Sequence, residues 1–125
     1  MTAAGVLTYR GATSGPDTPQ EAAEAFMSAG LRHDWRASWE LLCRSEQLEH
    51  GSVDRYVMVK QGAAALVGWS EPGGATVSVG EARPHTRIES RAWLVDVQLA
   101  RAGEIHDMQL VVVEEAGGPR ACGQR

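Results

Sequence analysis

The chain has 125 residues, of which 43% are hydrophobic and 22% are charged, and its 16 acidic and 12 basic residues give a net charge of −4. This length suits one domain with a single hydrophobic core that needs no metal or disulfide to fold. The acidic balance, with Lys60 as the one lysine, argues against a nucleic-acid-binding surface, and no apolar run approaches the roughly 20 residues of a membrane-spanning helix.

Residues 1–17 precede the first predicted helix and end in a spacer rich in Gly, Ser, Pro and Thr. Met1 to Tyr9 lacks both the basic region and the long apolar region of a complete signal peptide. Two interpretations remain open. The segment is either a flexible leader or the remnant of an N-terminal anchor whose upstream part is missing, and a membrane tether is expected only in the second case.

The first helix is predicted to begin at Thr18. Thr18 can cap the free backbone amides, Pro19 suits the first helical position, and Glu21 completes a capping box. Apolar residues then recur at helical spacing as far as Ala29, and most of them are small. Small residues on the buried face predict that another element approaches this helix closely.

A second helix is predicted from its N-cap Asp34 through Leu42, close enough to the first that the two fold back on each other. Residues 45–51 are polar and predict a loop. Helical spacing resumes over 52–69, and the breaker sequence at 70–74 (SEPGG) predicts a change of architecture.

After this breaker the hydrophobic period becomes two, which is typical of strands. Strands are predicted over 75–83, 87–101, 105–115 and 120–123, with a break at 84–86 and turns at 101–104 and 114–119. Helices followed by antiparallel strands predict the α+β class.

Four short motifs stand in order along the chain: TPQEAA at 18–23, DW at 34–35, LLC at 41–43 with Ala37 before it, and RACG at 120–123. They resemble the nuclear transport factor 2-like (cystatin-like) superfamily and, within it, small actinobacterial lumazine-binding-like domains. The resemblance spans 18–123 and implies one cone-shaped domain, in which N-terminal helices pack on a curved antiparallel sheet. Members include isomerases and polyketide cyclases as well as binding and accessory domains, so fold alone does not decide function.

Cys43 and Cys122 are the only cysteines. The resemblance implies that a cysteine late in helix two can meet one in the last strand. A disulfide there would indicate an oxidising, extracytoplasmic compartment. The alternative is two buried free thiols in a cytoplasmic protein. With no CxxC and no metal-ligand spacing, neither a metal site nor a cofactor is predicted.

An enzyme of this fold would need an acid–base residue facing into the cone. The candidates by position are His106, Asp96 and Asp107. Strand parity argues against Asp96, because Trp93 and Val95 point to the opposite face. His106 could line the mouth of the cone, although a lone histidine at a strand end is more often a surface residue.

Four tryptophans could line an apolar pocket that stacks on a flat ligand, or they could simply fill the core. The pocket candidates are Phe26, Trp35, Trp39, Trp93 and Met108. The sequence therefore predicts a non-catalytic domain that binds an apolar or aromatic small molecule or serves assembly. The alternative is a small isomerase- or cyclase-like enzyme. The charged sheet face is a candidate surface for a homodimer.

Overall fold

The structure of the protein, a computed structural model, describes residues 15–69, 71–86 and 91–125; residues 1–14 of the predicted leader lie outside these ranges. Within them, four helices come first: α1 (Pro19–Leu31), α2 (Trp35–Glu40), α3 (Arg44–His50) and α4 (Val53–Leu66). Four strands follow: β1 (Ala75–His85), β2 (Ala92–Arg101), β3 (Glu104–Glu115) and β4 (Gly118–Gln124).

The strands form one antiparallel sheet in the order β1-β2-β3-β4, and the helices pack against it. The predicted α+β class, with N-terminal helices on an antiparallel sheet, is confirmed. The cone shape stays a prediction. None of the helices in the described ranges is long and apolar enough to cross a membrane.

Helix α1 begins with the predicted capping box. The Thr18 hydroxyl accepts a hydrogen bond from the Glu21 amide at 3.1 Å, and the Glu21 carboxylate accepts one from the Thr18 amide at 3.3 Å. Ala22 and Ala23 are buried against Val95, Val112 and other residues of the sheet. Since alanine has only a methyl side chain, α1 can lie close to the strands.

Helix α2 is shorter than predicted. Asp34 is its N-cap, with its carboxylate accepting from the Ala37 amide at 3.2 Å, but the helix ends at Glu40 rather than continuing through Leu42. The chain then runs beside β4: the Ala121 amide donates to the Leu41 carbonyl at 2.8 Å, and the Cys43 amide donates to the Ala121 carbonyl at 2.7 Å. These two bonds at the free edge of the sheet replace the helical ones, so Cys43 lies beyond the second helix.

The loop predicted over 45–51 is wrong, because this segment forms α3. Tertiary contacts hold the short helix in place. The Arg44 amide donates to the Glu115 carboxylate at 3.0 Å, and the Gln47 side-chain amide donates to the Trp39 carbonyl at 2.9 Å. None of its residues is buried, so its sequence lacks the apolar stripe that identifies longer helices.

The register of the strands shows which side chains share a face of the sheet. Val95 pairs with Leu110, and both side chains belong to the core cluster that includes Ala22 and Ala23 of α1. Asp96 pairs with Gln109 on the opposite face. Because successive side chains alternate between faces, one face of the sheet packs on α1. The opposite face is polar where Asp96 pairs with Gln109 and apolar at its other end, where Ala92 pairs with Val113 beside Cys43.

Strand β1 extends past its predicted end at 83, into the predicted break at 84–86, and ends at His85. Proline is tolerated there because β1 is an edge strand, where a missing amide donor need not leave a ladder bond unmade. The register shifts between Val79 and Ala82. Strand β2 begins at Ala92, and the earlier part of its predicted range, 87–90, lies outside the described residues.

The disulfide between Cys43 and Cys122 is confirmed, with sulfurs 2.01 Å and Cα atoms 5.1 Å apart. Cys43 is buried in a second apolar cluster with Ala92, Val111 and Val113. The bond therefore fixes the segment between α2 and α3 to the last strand, across a sequence separation of 79 residues.

Candidate functional site

An apolar cavity of about 150 Å³ lies between α1, α2, α4 and β2. Its wall is formed chiefly by Phe26 and Leu31 of α1, Trp35 of α2, Trp69 after α4, and Leu99 of β2. We call it the aromatic cavity. It lies where bulky rings from the helical part of the chain face Leu99, whereas farther along α1 packs on the sheet through Ala22 and Ala23.

Two hydroxyl groups form the buried polar part of this cavity. The Ser38 Oγ and the Tyr56 hydroxyl lie 2.7 Å apart, and each residue is 2% exposed. Ser38 lies on the inner face of α2, and Tyr56 lies in the first turns of α4, which begins at its N-cap Ser52. A hydrogen bond between two buried hydroxyls satisfies one donor without introducing a charge.

Tyr56 remains a neutral phenol across the physiological pH range. Its pKa is raised above the usual value, chiefly because burial disfavours the phenolate. The negative charge of Glu46 raises the pKa further, while the hydrogen bond with Ser38 opposes these effects. Tyr56 is therefore suited to donate or accept a hydrogen bond, and is unsuited to act as a base near neutral pH.

A neighbouring cavity of about 250 Å³ shares Phe26, Tyr56 and Lys60 with the aromatic cavity and is lined also by Glu46 and His50. We call it the polar cavity. The Lys60 ammonium lies 5.4 Å from the centroid of the Tyr56 ring, and the His50 ring packs edge-on against the same ring at 5.0 Å. His50 Nε2 and the Glu46 carboxylate are 3.7 Å apart. Tyr56 and Lys60 thus line both cavities, while Glu46 and His50 line the polar cavity.

A cluster of rings supports one wall of the aromatic cavity. His33 stacks on Trp35 at 5.0 Å and packs edge-on against Trp69 at 4.7 Å, and the Arg101 guanidinium lies 4.6 Å from the Trp69 ring. The Trp69 indole donates to the Gly73 carbonyl at 3.1 Å. The cluster joins the α1–α2 connector to the end of β2, and so fixes the two tryptophans that line the cavity.

The structure places the three acid–base candidates from the sequence outside both cavities. Asp96 lies on the polar part of the face opposite α1, where it accepts two hydrogen bonds from Arg83, at 2.8 and 3.1 Å, and one from Gln109 at 3.3 Å. These bonds, that from Arg83 foremost, lower the pKa of Asp96. Asp107 accepts from Gln98 on the same face.

His106 shares the helix-facing side of β3 with Met108 but is exposed, and its Nε2 lies 3.3 Å from the Glu104 carboxylate. Asp96 and Asp107 line an open polar groove of about 560 Å³ on the other face. The lining of that groove is largely polar, whereas the lining of the aromatic cavity is chiefly apolar and therefore favours an apolar ligand. A homodimer through this face stays a prediction.

The predicted pocket residues divide into two groups. Phe26 and Trp35 line the aromatic cavity. Trp93 packs on the main core cluster with the Arg91 guanidinium 5.2 Å from its ring, and Met108 packs on that cluster too. Trp39 lies in α2, and its buried indole nitrogen has no hydrogen-bond partner in the part of the chain that the structure describes.

Sequence reasoning did not single out the residues that give the cavities their chemistry: Ser38, Glu46, His50, Tyr56 and Lys60. One signal was available, since Tyr56 and Lys60 are four residues apart and share one face of a predicted helix. The contact between Ser38 and Tyr56 joins different helices and has no counterpart in any local pattern.

Comparisons with protein-family models, with characterised proteins and with solved structures gave no match for this chain. Among the described residues there is also no group of three or more His, Cys, Asp or Glu side chains that could hold a metal ion. The geometry of the two cavities is therefore the basis for the function proposed below.

Proposed function

We propose that this chain is a non-catalytic small-molecule-binding domain of the nuclear transport factor 2-like type, and that the aromatic cavity is its binding site. The order of helices and strands supports the fold assignment, together with the motifs quoted above. The disulfide supports an oxidising, extracytoplasmic location.

The observation that carries the binding function is the combination of apolar walls with one buried polar pair. Binding sites for small molecules are typically concave and apolar, with a few polar groups that orient the ligand. The aromatic cavity has this composition, with aromatic rings around the Ser38–Tyr56 pair. A cavity of about 150 Å³ with apolar walls can hold a molecule the size of benzene.

A matched pair of glycine variants tests this proposal. Gly30 lines the cavity, and a Cβ atom there would lie 3.7 Å from the Trp35 ring. We expect Gly30→Leu to fill part of the cavity. Gly62 lies in α4, where an added Cβ atom would have no heavy atom within 4 Å. Gly62→Leu is therefore the control for a leucine in place of a helical glycine.

The measurement is a titration with toluene, followed by amide chemical shifts in ¹H–¹⁵N NMR spectra. We expect saturable shifts at residues around Trp35 and Trp69 in the wild type and in Gly62→Leu, and at least a tenfold weaker affinity in Gly30→Leu. Equal affinities in all three proteins would place the binding site elsewhere and overturn the proposal.

One observation favours an enzyme as the second candidate. His50 and Glu46 form a titratable pair beside Tyr56, which is an arrangement that proton transfer can use. An isomerase-like activity would therefore involve His50 and not the three residues named from the sequence. The test is exchange of the α-hydrogens of cyclohexanone in D₂O. If the wild type accelerates this exchange and His50→Gln does not, the alternative is established. We expect the wild type not to accelerate the exchange.

A further inference from the structure

We infer that the aromatic cavity selects a neutral, ring-sized molecule bearing one oxygen, which hydrogen-bonds to the Ser38–Tyr56 hydroxyl pair. This inference rests on the binding function proposed above and specifies the class of ligand.

The number of hydroxyl hydrogens leads to this conclusion. Ser38 and Tyr56 together carry two, and their mutual bond at 2.7 Å uses one of them. Among the described residues each has the other as its hydrogen-bond partner, so the second hydrogen and the remaining lone pairs have no protein partner. A buried donor that has no hydrogen-bond partner destabilises the folded state. An oxygen atom of a ligand in the cavity would satisfy this donor.

The desolvation of charged groups favours a neutral ligand over a carboxylate. Lys60 lines the aromatic cavity and would attract an anion, while Glu46 lines the neighbouring polar cavity. Moving a carboxylate out of water to pair with Lys60 is nevertheless unfavourable, because the loss of hydration of both charges can exceed the attraction between them. A phenol or ketone oxygen enters without that desolvation penalty.

The walls favour a flat ring. Phe26, Trp35 and Trp69 present aromatic surfaces to a volume of about 150 Å³. Aromatic rings pack well in offset or edge-to-face arrangements, which a single six-membered ring can adopt in this space. The inferred ligand class is therefore a phenol-like or cyclic ketone-like compound.

Three ring compounds separate the contributions of shape, oxygen and charge, and benzamide, which is neutral and nearly the size of benzoate, is the control for the size of the carboxylate. Toluene has the ring alone, phenol has a neutral hydroxyl in place of the methyl group, and benzoate has a negative charge. Each is titrated into the oxidised 125-residue chain, and its dissociation constant is measured by amide chemical shifts. We expect phenol to bind the wild type at least as tightly as toluene, although phenol is the better hydrated of the two, and benzoate to bind most weakly.

The decisive variant is Ser38→Ala/Tyr56→Phe. It removes both hydroxyls together, so neither hydroxyl stays buried without its partner. Replacing both members of a buried hydrogen bond with apolar groups is often close to neutral for stability. We expect the phenol dissociation constant to rise about tenfold, the upper range for a neutral hydrogen bond, and that of toluene to change less than twofold. Should the double variant not fold, Tyr56→Phe provides the same comparison, with a smaller expected rise of about threefold.

The outcomes distinguish the two proposals. If toluene binds the wild type ten times more tightly than phenol, and the variants leave this ratio unchanged, the ligand class is overturned while the binding function stands. Tighter binding of benzoate than of phenol would likewise overturn the requirement for a neutral ligand. If none of the three probes gives saturable shifts around the cavity, the binding function itself fails.

Discussion

At the scale of the residue, Tyr56 contacts most of the polar side chains of the site. It contributes to both cavities, pairs with Ser38, and contacts Lys60 and His50 through its ring. The periodicity of the sequence predicted that position 56 lies on a helix. It did not predict that this tyrosine would be almost fully buried, because α2 and α3, which come before it in the chain, had to be placed first.

The raised pKa of Tyr56 predicts a specific dependence of stability on pH. An unfolded tyrosine releases its proton near pH 10, while buried Tyr56 retains it to higher pH. Between these two values the folded state binds more protons than the unfolded state, so the free energy of unfolding falls as pH rises. The slope from this group is at most about 1.4 kcal/mol per pH unit.

Urea unfolding of the wild type and of Tyr56→Phe between pH 8 and 11 measures this effect. We expect the stability of the wild type to fall more steeply above about pH 10, since the variant lacks the titrating group. Tyr9 is present in both proteins and cancels in the comparison. Parallel curves would show that Tyr56 ionises equally easily in the folded and unfolded states.

At the scale of the element, the short segment between α2 and α3 explains two of the differences from the predicted secondary structure. Hydrogen bonds between residues 41–43 and Ala121 end α2 early and place Arg44 where α3 can begin. The hydrophobic pattern of LLC fits a helix as well as an edge strand, so local sequence alone could not distinguish them. Pro84 likewise predicted the end of a strand. Proline is compatible with a strand only at the edge of a sheet, and local sequence does not show that β1 lies there.

The disulfide gives a prediction for this segment. It closes a loop with a sequence separation of 79 residues, so in the chain-entropy model its reduction lowers the free energy of unfolding by about 4 kcal/mol. The measurement is urea unfolding of the oxidised and reduced wild type, with Cys43→Ser/Cys122→Ser as a control for the reductant. We expect the reduced protein and the double variant to unfold at similar, lower urea concentrations.

Alkylation of the unfolded, unreduced protein should label neither cysteine. Oxidised and reduced proteins with the same urea midpoint would mean that the bond does not constrain the unfolded chain. Labelling of both cysteines without reduction would mean that the disulfide does not form.

At the scale of the whole molecule, the sequence was sufficient to predict the fold class but not the site. The change of hydrophobic period after 70–74 is a local signal, and it correctly separated the helices from the antiparallel sheet. The aromatic cavity, by contrast, is assembled from four elements, and its Ser38–Tyr56 pair joins residues 18 positions apart. Only the packing of those elements brings the hydroxyls together.

The proposed binding function requires that the space bounded by Phe26, Trp35 and Tyr56 is an apolar cavity that can accept a ligand. The most direct measurement is a crystal structure of the wild type and of Gly30→Leu under xenon pressure, because xenon enters apolar cavities of this size. We predict a xenon atom between these three side chains in the wild type and none in Gly30→Leu. A wild-type structure in which side chains fill this space and no xenon binds there would contradict the account.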